Sequence, residues 1–265
     1  MNDSSTENEK VSVEIVVNQY SKNTDKYNGT DDLMRCILVH LTMSIDYKNI
    51  MNTKLTFIIP TIGRQSLKDA VDSILSQTCQ EWKIIIIFDG IEPNIDITDD
   101  RIQIVSKPPD DIKIHKAGSV RNYGIPFATT EWVAFLDDDD IIKPEYVEFF
   151  LKDIANYDND LIIYRLIEFH KDRGIVLTHP FLNANNFYLS NVGISFVAKK
   201  AIFDAGIFFQ NGVEEDYHLL DTVRQNKYKM MISPEILYLV QHFNCQISSI
   251  KGSRVFINHP TVVIL

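Results

Sequence analysis

The sequence predicts a three-layer α/β fold with a mostly parallel central sheet, and three observations predict it. Short apolar runs alternate with amphipathic stretches from Leu55 to Asp140. That β-α-β-α-β succession calls for parallel strands joined by crossovers. The runs are continuous and not alternating, Lys83 to Phe88 (KIIIIF) above all, which is the pattern of strands covered on both faces. Finally, the run Trp132 to Leu136 ends in four consecutive carboxylates, Asp137 to Asp140. In open α/β sheets the carboxyl ends of the strands form the ligand crevice, so acids placed there read as more than surface decoration.

Each element has its own reason. Residues 1–50 stand apart as an N-terminal extension, with Val11 to Val17 as a short strand. Leu33, Ile37, Leu38 and Leu41 at helical spacing predict a helix over Leu33 to Met43. No chemical motif falls in this extension, which is expected to pack on the main body or meet a partner. Leu55 to Ile59 is the first buried strand. Ser66 with Asp69 three residues on resembles a capping box, and Leu67, Ala70, Val71, Ile74 and Leu75 share one helical face. Lys83 to Phe88 and Ile102 to Val105 follow as strands. A helix from Gly118 puts Val120, Gly124 and Phe127 inward, with Pro126 shortening or kinking it.

After the acids, Pro144 suits the first position of a helix that buries Tyr146, Val147, Phe150, Leu151 and Ile154. Leu161 to Phe169 and Ile175 to Thr178 read as a hairpin turning at Lys171 to Gly174. Gly193 to Ala198 is a further strand. A short helix from Lys199 stops at Gly206, a C-cap glycine. Glu215 to Val223 buries Leu219, Leu220 and Val223, and Ile236 to Val240 is a strand leading to His242.

Composition narrows the function classes. The chain has 265 residues, 45% hydrophobic and 23% charged, as in ordinary globular proteins. A net charge of −10 argues against a broad nucleic-acid footprint, and no polybasic helix offers a membrane anchor. Cys36, Cys79 and Cys245 are scattered, with no CxxC pair, which fits a reducing compartment. The N-terminus lacks a signal-peptide apolar core, and no run approaches the length of a membrane span, so a cytoplasmic location is expected. The fingerprints GxxxxGK[ST], GxSxG, HExxH and GxGxxG are all missing.

Adjacent carboxylates repel one another, which raises their pKa unless a cation sits among them. An oxygen-rich site of this kind suits Mg²⁺ or Mn²⁺, with substrate phosphates completing the shell. Five motifs then fall in order: Pro60-Thr61-Ile62-Gly63-Arg64 after the first strand, Asp89-Gly90 after the second, Ala117 to Ile125 (AGSVRNYGI), Phe135 to Asp140 (FLDDDD), and Glu214-Glu215-Asp216 at a helix start. This set resembles the family 2 glycosyltransferases of the GT-A (Rossmann-like) fold over roughly residues 51–245.

The resemblance implies a domain at 51–265, with a nucleotide-binding half at 51–140 and an acceptor-binding half at 141–265. Donor contacts would come from Pro60, Thr61, Arg64, Asp89, Arg121, Asp137 and Asp138, with Asp89 on the nucleobase and Arg121 on the nucleobase or diphosphate. Asn122 would support the loop. Asp139, with His242, would hold a divalent Mn²⁺ or Mg²⁺ bridging the diphosphate. The run of four leaves the D-x-D register open between Asp137/Asp139 and Asp138/Asp140; the former is preferred because Asp137 directly follows the apolar strand. Asp216 would be the general base, while His218, two residues on, should point away from it.

The activity implied is metal-dependent, inverting transfer of a single sugar from a nucleotide-diphosphate sugar, a UDP-sugar in the usual case. The absence of a Q-x-x-R-W motif favours single transfer over polymer extrusion. The acceptor would be a glycan, a lipid-linked group or a protein, met at a loop such as Phe181 to Ser190. A homo-oligomer is compatible with the sequence. Two other readings remain open: a nucleotidyltransferase of similar architecture, and a non-catalytic relative that binds nucleotide-sugar or glycan.

Overall fold

The computed structural model describes residues 53–109, 117–170, 175–183, 185–241 and 263–264. All belong to the second of two units into which the chain divides, Thr53–Leu265. The strand and helix expected at Val11 to Val17 and Leu33 to Met43 lie outside the described residues, as does His242.

In chain order the elements are β1 (Leu55–Thr61), α1 (Leu67–Leu75), β2 (Trp82–Asp89), β3 (Ile102–Lys107), α2 (Ala117–Gly124), a 3₁₀ turn (Ile125–Phe127), β4 (Trp132–Phe135), β5 (Ile141–Ile142), α3 (Tyr146–Asn156), β6 (Leu161–His170), β7 (Ile175–His179), β8 (Phe196–Lys199), α4 (Lys200–Asp204), α5 (Glu215–Gln225), β9 (Met230–Val240) and β10 (Val263–Ile264). One sheet runs β10-β9-β6-β8-β4-β1-β2-β3, with β5 on β9 and β7 on β6. The strands β4, β1, β2 and β3 are mutually parallel, as are β6 and β9. Between these groups β8 pairs antiparallel with both β4 and β6.

The apolar runs explain the sheet's position. Ile84, Ile86 and Ile87 in β2 are wholly buried, as are Phe57, Ile58 and Ile59 in β1. Burying each such side chain contributes about 1.5–3 kcal/mol. Helix α1 seals one face through Leu67, Ala70, Val71 and Ile74. Helix α2 comes so close that a Cβ on Gly124 would meet Ile58 Cγ2 at 2.8 Å.

Strand β1 is flanked by β2 and β4, so the chain leaves it in opposite directions, and the carboxyl ends of β1 and β4 open side by side. That is the switch-point crevice of a doubly wound sheet. The acid loop after β4 is then stapled at its far end, because β5 pairs with β9 at Ile141↔Leu239.

Several local expectations are corrected. Ser66 occupies the N-cap position of α1, but its side chain makes no cap bond; its carbonyl instead accepts the Asp69 and Ala70 N–H groups. Phe127 is 36% exposed, because the 3₁₀ turn forced around Pro126 swings it off the inward stripe and beside Tyr123. Pro144 lies before α3, whose N-cap is Glu145. The strand predicted from Gly193 begins only at Phe196, and β9 begins at Met230, well before Ile236. Strands β6 and β7 pair as a hairpin, with residues 171–174 outside the described set.

Candidate active site

Two cavities open at the carboxyl ends of β1 and β4. The first, about 320 Å³, is lined by Pro60, Thr61, Arg64, Asp89 and Asp137 to Asp139, with Ile62, Ala117 and Val120. The second, about 350 Å³, is lined by Arg121, Asp137, Asp140, Glu214, Glu215 and Asp216, with an apolar wall that includes Leu166 and Tyr238. Asp137 belongs to both.

The parallel pairing of β1 and β4 builds the first cavity. It sets Ile58 against Phe135, so the chain just beyond each strand meets the other. Thr61 Oγ1 donates to Asp138 Oδ2 at 2.6 Å, and Arg64 Nη1 donates to Asp138 Oδ1 at 2.5 Å while lying 3.3 Å from Asp139 Oδ2. Gly63 makes the turn between them at φ +80°, its N–H bonded to Thr61 Oγ1 at 2.9 Å. A left-handed turn this tight favours glycine.

The side chains in the acid run alternate. Those of Asp137 and Asp139 are 33% and 26% exposed, whereas Asp138 is nearly sealed under Thr61 and Arg64. Asp140 is also buried, where its Oδ1 accepts the Gln241 N–H at 2.9 Å. At the cavity's other wall, Asp89 pairs with the buried Lys107 at 3.2 Å, the residue opposite it in register on β3.

Arg121 links the two cavities. Although on a helix, it is 3% exposed, and its guanidinium donates to Asp137 Oδ1 and to Glu215 Oε1, the latter at 2.9 Å. Helix α2 carries it into place through two close contacts. Asn122 exchanges two hydrogen bonds with the Phe209 backbone at 2.8 and 3.0 Å, and a Cβ on Gly118 would meet Phe209 Cβ at 2.9 Å. The arginine therefore fixes the start of α5, and with it Asp216, against the end of β4.

Asp216 faces the second cavity from the first turn of α5. Its Oδ1 accepts the Tyr217 N–H at 2.7 Å. A Cβ on Gly193 would meet Leu166 Cδ2 at 2.6 Å and lie 3.7 Å from Asp216 Oδ2, so the glycine lets Leu166 close in beside the carboxylate. Burial pushes Asp216 up to about 6, with the neighbouring Glu215 charge adding to the shift while the Tyr217 bond and Arg121 oppose it. Asp140 rises further, to about 8, through burial first and then the charge of Asp137. Asp139 is also raised, by burial and then by Asp137 and Asp138, against the pull of Arg64.

These carboxylates suit a hard divalent cation. Among the described residues no three His, Cys, Asp or Glu side chains converge as a ready-made cage. Mg²⁺ rarely requires one, since it is typically held by one or two carboxylates plus phosphate oxygens. The part-exposed pair Asp137 and Asp139 offers that donor set.

All seven expected donor contacts line one or other cavity, Arg121 the second and not the first. His218 is exposed and away from the cavity linings, as the helical offset requires. Of the described residues in the loop Phe181 to Ser190, Ser190 lines the second cavity and none lines the first. Sequence reasoning missed Tyr238, Lys107, Glu215 as the partner of Arg121, and Gly193. Tyr238 supports the acid run by accepting the Asp137 N–H on its hydroxyl at 3.1 Å. Nothing in an apolar strand such as ILYLV marks its tyrosine for that task; a buried lysine ending β3 is the one visible signal among the four.

Comparison with known proteins agrees with this geometry. The family model described as Glycosyl transferase family 2 matches residues 56–194. The glycosyltransferase GlyA of Streptococcus pneumoniae serotype 4 is 26% identical over 172 residues, 61% of this chain and 22% of that protein. The chain thus spans about a fifth of that relative's length. The crystal structure of Staphylococcus aureus TarS 1–349 in complex with UDP superposes with a TM-score of 0.54 at 18% identity, covering 71% of this chain and 60% of that one. The mannosyltransferase PcManGT of Pyrobaculum calidifontis, in complex with GDP-Man and Mn²⁺, gives 0.51 at 14% identity over 70% and 56% of the two chains. At such identities these structures show a shared GT-A architecture, and no helix among the described residues is long and apolar enough to cross a membrane.

Proposed function

This glycosyltransferase chain belongs to Glycosyl transferase family 2, and from that premise we propose that it moves a single sugar, with inversion, from a nucleotide-diphosphate sugar to an acceptor hydroxyl. The observation that carries the reading is Asp137, which walls both cavities and so makes them two halves of one cleft. The donor nucleotide occupies the first, with Asp89 toward the nucleobase and Thr61 and Arg64 beside the nucleoside. UDP and GDP-Man in the two structural relatives support a nucleotide donor, and we take a UDP-sugar as the first candidate.

The acceptor enters the second cavity. Its hydroxyl oxygen attacks the anomeric carbon from the side opposite the diphosphate. One C–O bond forms as the other breaks, the proton passes to Asp216, and the bonding pair leaves with the nucleoside diphosphate. A single displacement of this kind inverts the centre. A carboxylate near 6 is a stronger base than an ordinary aspartate yet is ionised at neutral pH, which is where general-base efficiency peaks.

Charge builds on the departing diphosphate. Asp139, with Asp137 beside it, would hold a divalent Mn²⁺ or Mg²⁺, which when bound would supply Lewis-acid neutralisation of that charge. Arg121 ties Asp137 to Glu215, and therefore holds Asp216 at a fixed distance across the cleft. Asp138 orients Thr61 and Arg64. Asp137/Asp139 is the D-x-D pair of this reading, because both keep exposed side-chain surface while Asp138 and Asp140 are buried on internal partners.

The test is a thermal-shift screen of nucleotide sugars with and without Mn²⁺, followed by product analysis, since a ligand bound only by the folded state raises the melting temperature. A Mn²⁺-dependent shift with a UDP-sugar and release of nucleoside diphosphate are expected. Release of pyrophosphate would indicate nucleotidyl transfer and overturn the reading, as would no turnover with any donor.

A further inference from the structure

Arg165 is a cation in an apolar place. It lies in β6, where Leu161 to Leu166 are all buried, and it is itself 0% exposed. Among the described residues it makes no ion pair; burial lowers its pKa and no carboxylate raises it again. Its Nε is buried without a partner. Its hydrogen bonds run to two backbone carbonyls, Pro180 at 2.8 Å and Phe181, both accepting from Nη1. The pairing of β6 with β9 slips on either side of Arg165, an irregularity of the kind that re-aims a side chain. A methionine of similar reach would fill the space without desolvating a charge, so stability gives no reason for a guanidinium here.

The two carbonyls stand where the chain leaves β7, and the segment 180–191 that follows leads to the second cavity. Phe187 is buried and packs edge-on to Tyr217, with ring centroids 6.1 Å apart and the Arg224 guanidinium 4.9 Å from its own ring. Tyr217 follows Asp216 and lines that cavity. Asn191, wholly buried, closes the end of the segment. Its Oδ1 accepts the Tyr188 N–H at 2.6 Å, and its own N–H donates to the Tyr188 carbonyl at 3.0 Å. Ser190 Oγ then donates to Glu214 Oε1 at 2.7 Å, and both residues hold a positive φ, which non-glycine residues keep only where their surroundings impose it. Between these points Phe181, Tyr188 and Leu189 stay exposed. The segment is therefore fastened to α5 at Phe187 and Ser190, and to the sheet at Arg165.

We propose that Arg165 is a positioning residue for the acceptor. By gripping the carbonyls of Pro180 and Phe181 it sets the course of segment 180–191, and through Phe187 and Ser190 the placing of Tyr217 and Glu214 around Asp216. Arg165 itself lines neither cavity. A charged donor suits the task because its hydrogen bonds are stronger than neutral ones, and the planar guanidinium fixes their direction where a lysine ammonium does not. The donor half, built on β1, β2 and β4, has no such dependence. The inference rests on the reading that Asp216 faces the acceptor.

The experiment compares the full chain as wild type, Arg165→Met and Arg165→Lys. Amide hydrogen exchange read by mass spectrometry follows local opening. Carbon-13 NMR follows titration of the Asp216 carboxyl, assigned by its absence in Asp216→Asn, and calorimetry gives the Kd for UDP with Mn²⁺. In Arg165→Met, exchange in 186–191 and 214–218 should rise at least about tenfold, while that in β1 and β4 and the affinity for UDP stay as in wild type. Water reaching Asp216 should bring its pKa down from about 6 toward the ordinary aspartate range. Loss of a positive charge alone would move it up, so the sign separates the two causes. Arg165→Lys should show the same signs at smaller amplitude, and it decides the matter if Arg165→Met does not fold. Exchange that rises only at 180–182 or evenly throughout the chain would overturn the proposal, as would an Asp216 titration that stays or moves up in a folded variant. Failure of the wild type to bind UDP would sink the donor reading while exchange and titration still judge Arg165, so the two failures are distinguishable.

Discussion

The cavity at Thr61 and the cavity at Asp216 share Asp137, yet the chain assembles them differently. The first is made almost entirely from residues just past the carboxyl ends of β1, β2 and β4, three adjacent parallel strands. Parallel pairing alone brings Thr61 to Asp138. The second gathers Arg121 from a helix, Leu166 from β6, Gly193 from a loop, Asp216 from α5 and Tyr238 from β9. Register does not suffice there; the pieces are held by ion pairs and hydrogen bonds, with Arg121 as the central tie. The first cavity should therefore tolerate loss of single contacts, while the second should fail when its tie is cut.

The sharpest way to break that comparison is Arg121→Met. It leaves two part-exposed carboxylates, Asp137 and Glu215, without the buried cation between them, and such unpaired but partly solvated groups cost about 1–3 kcal/mol, less than a fully buried pair. Chemical denaturation should show a loss of that size, together with loss of transfer; a variant as stable as wild type would show that the tie is dispensable. Asp139→Asn comes next. It should leave folding intact, abolish the gain in donor affinity on adding Mn²⁺, and slow transfer by about a hundredfold or more, since a Lewis acid supplies several kcal/mol to developing charge. Titration calorimetry with the donor, with and without metal, checks it.

A smaller effect follows from Asp140. Its folded pKa, raised to about 8, lies above the unfolded value, so the folded state holds a proton that the unfolded chain has already lost. The stability from keeping it neutral is fully present below the unfolded pKa and is lost as pH rises through about 8. Melting temperatures without divalent ions should therefore fall between pH 5 and pH 8 on this account, and Asp140→Asn should flatten that fall. A variant with the wild-type slope would place the titration elsewhere. Smallest of all is Phe127→Ser, on the exposed turn outside both cavities: within about 0.5 kcal/mol by denaturant titration.

The same contrast explains what could be read in the sequence. The strands of the parallel half were legible because buried β-branched runs have no other use, and the loops following them carry their motifs contiguously: Pro60 to Arg64, Asp89-Gly90, Asp137 to Asp140. The acid run also exposed its alternation once it sat at a strand end. In the other half, Gly193 and Tyr238 act only through distant partners, and no local pattern encodes a partner 101 residues away, as for the bond from Asp137 N–H to Tyr238. Arg121 was visible as a donor contact or an ion-paired helix residue, but its partners Asp137 and Glu215, 16 and 94 residues away, were not. Phe127 failed for a local reason, the proline-bound turn overriding the helical stripe.

The central claim is that one cleft binds a donor on one side of Asp137 and deprotonates an acceptor on the other. Asp216→Asn tests it most directly, with donor dissociation constant and transfer rate measured on the same preparation across pH 5 to 8. The account predicts unchanged donor affinity and a rate about 10²–10⁴-fold lower, with the wild-type rate falling below about pH 6 and the variant losing that limb. A variant that transfers at the wild-type rate, or one that loses donor binding and transfer in equal measure, would contradict it.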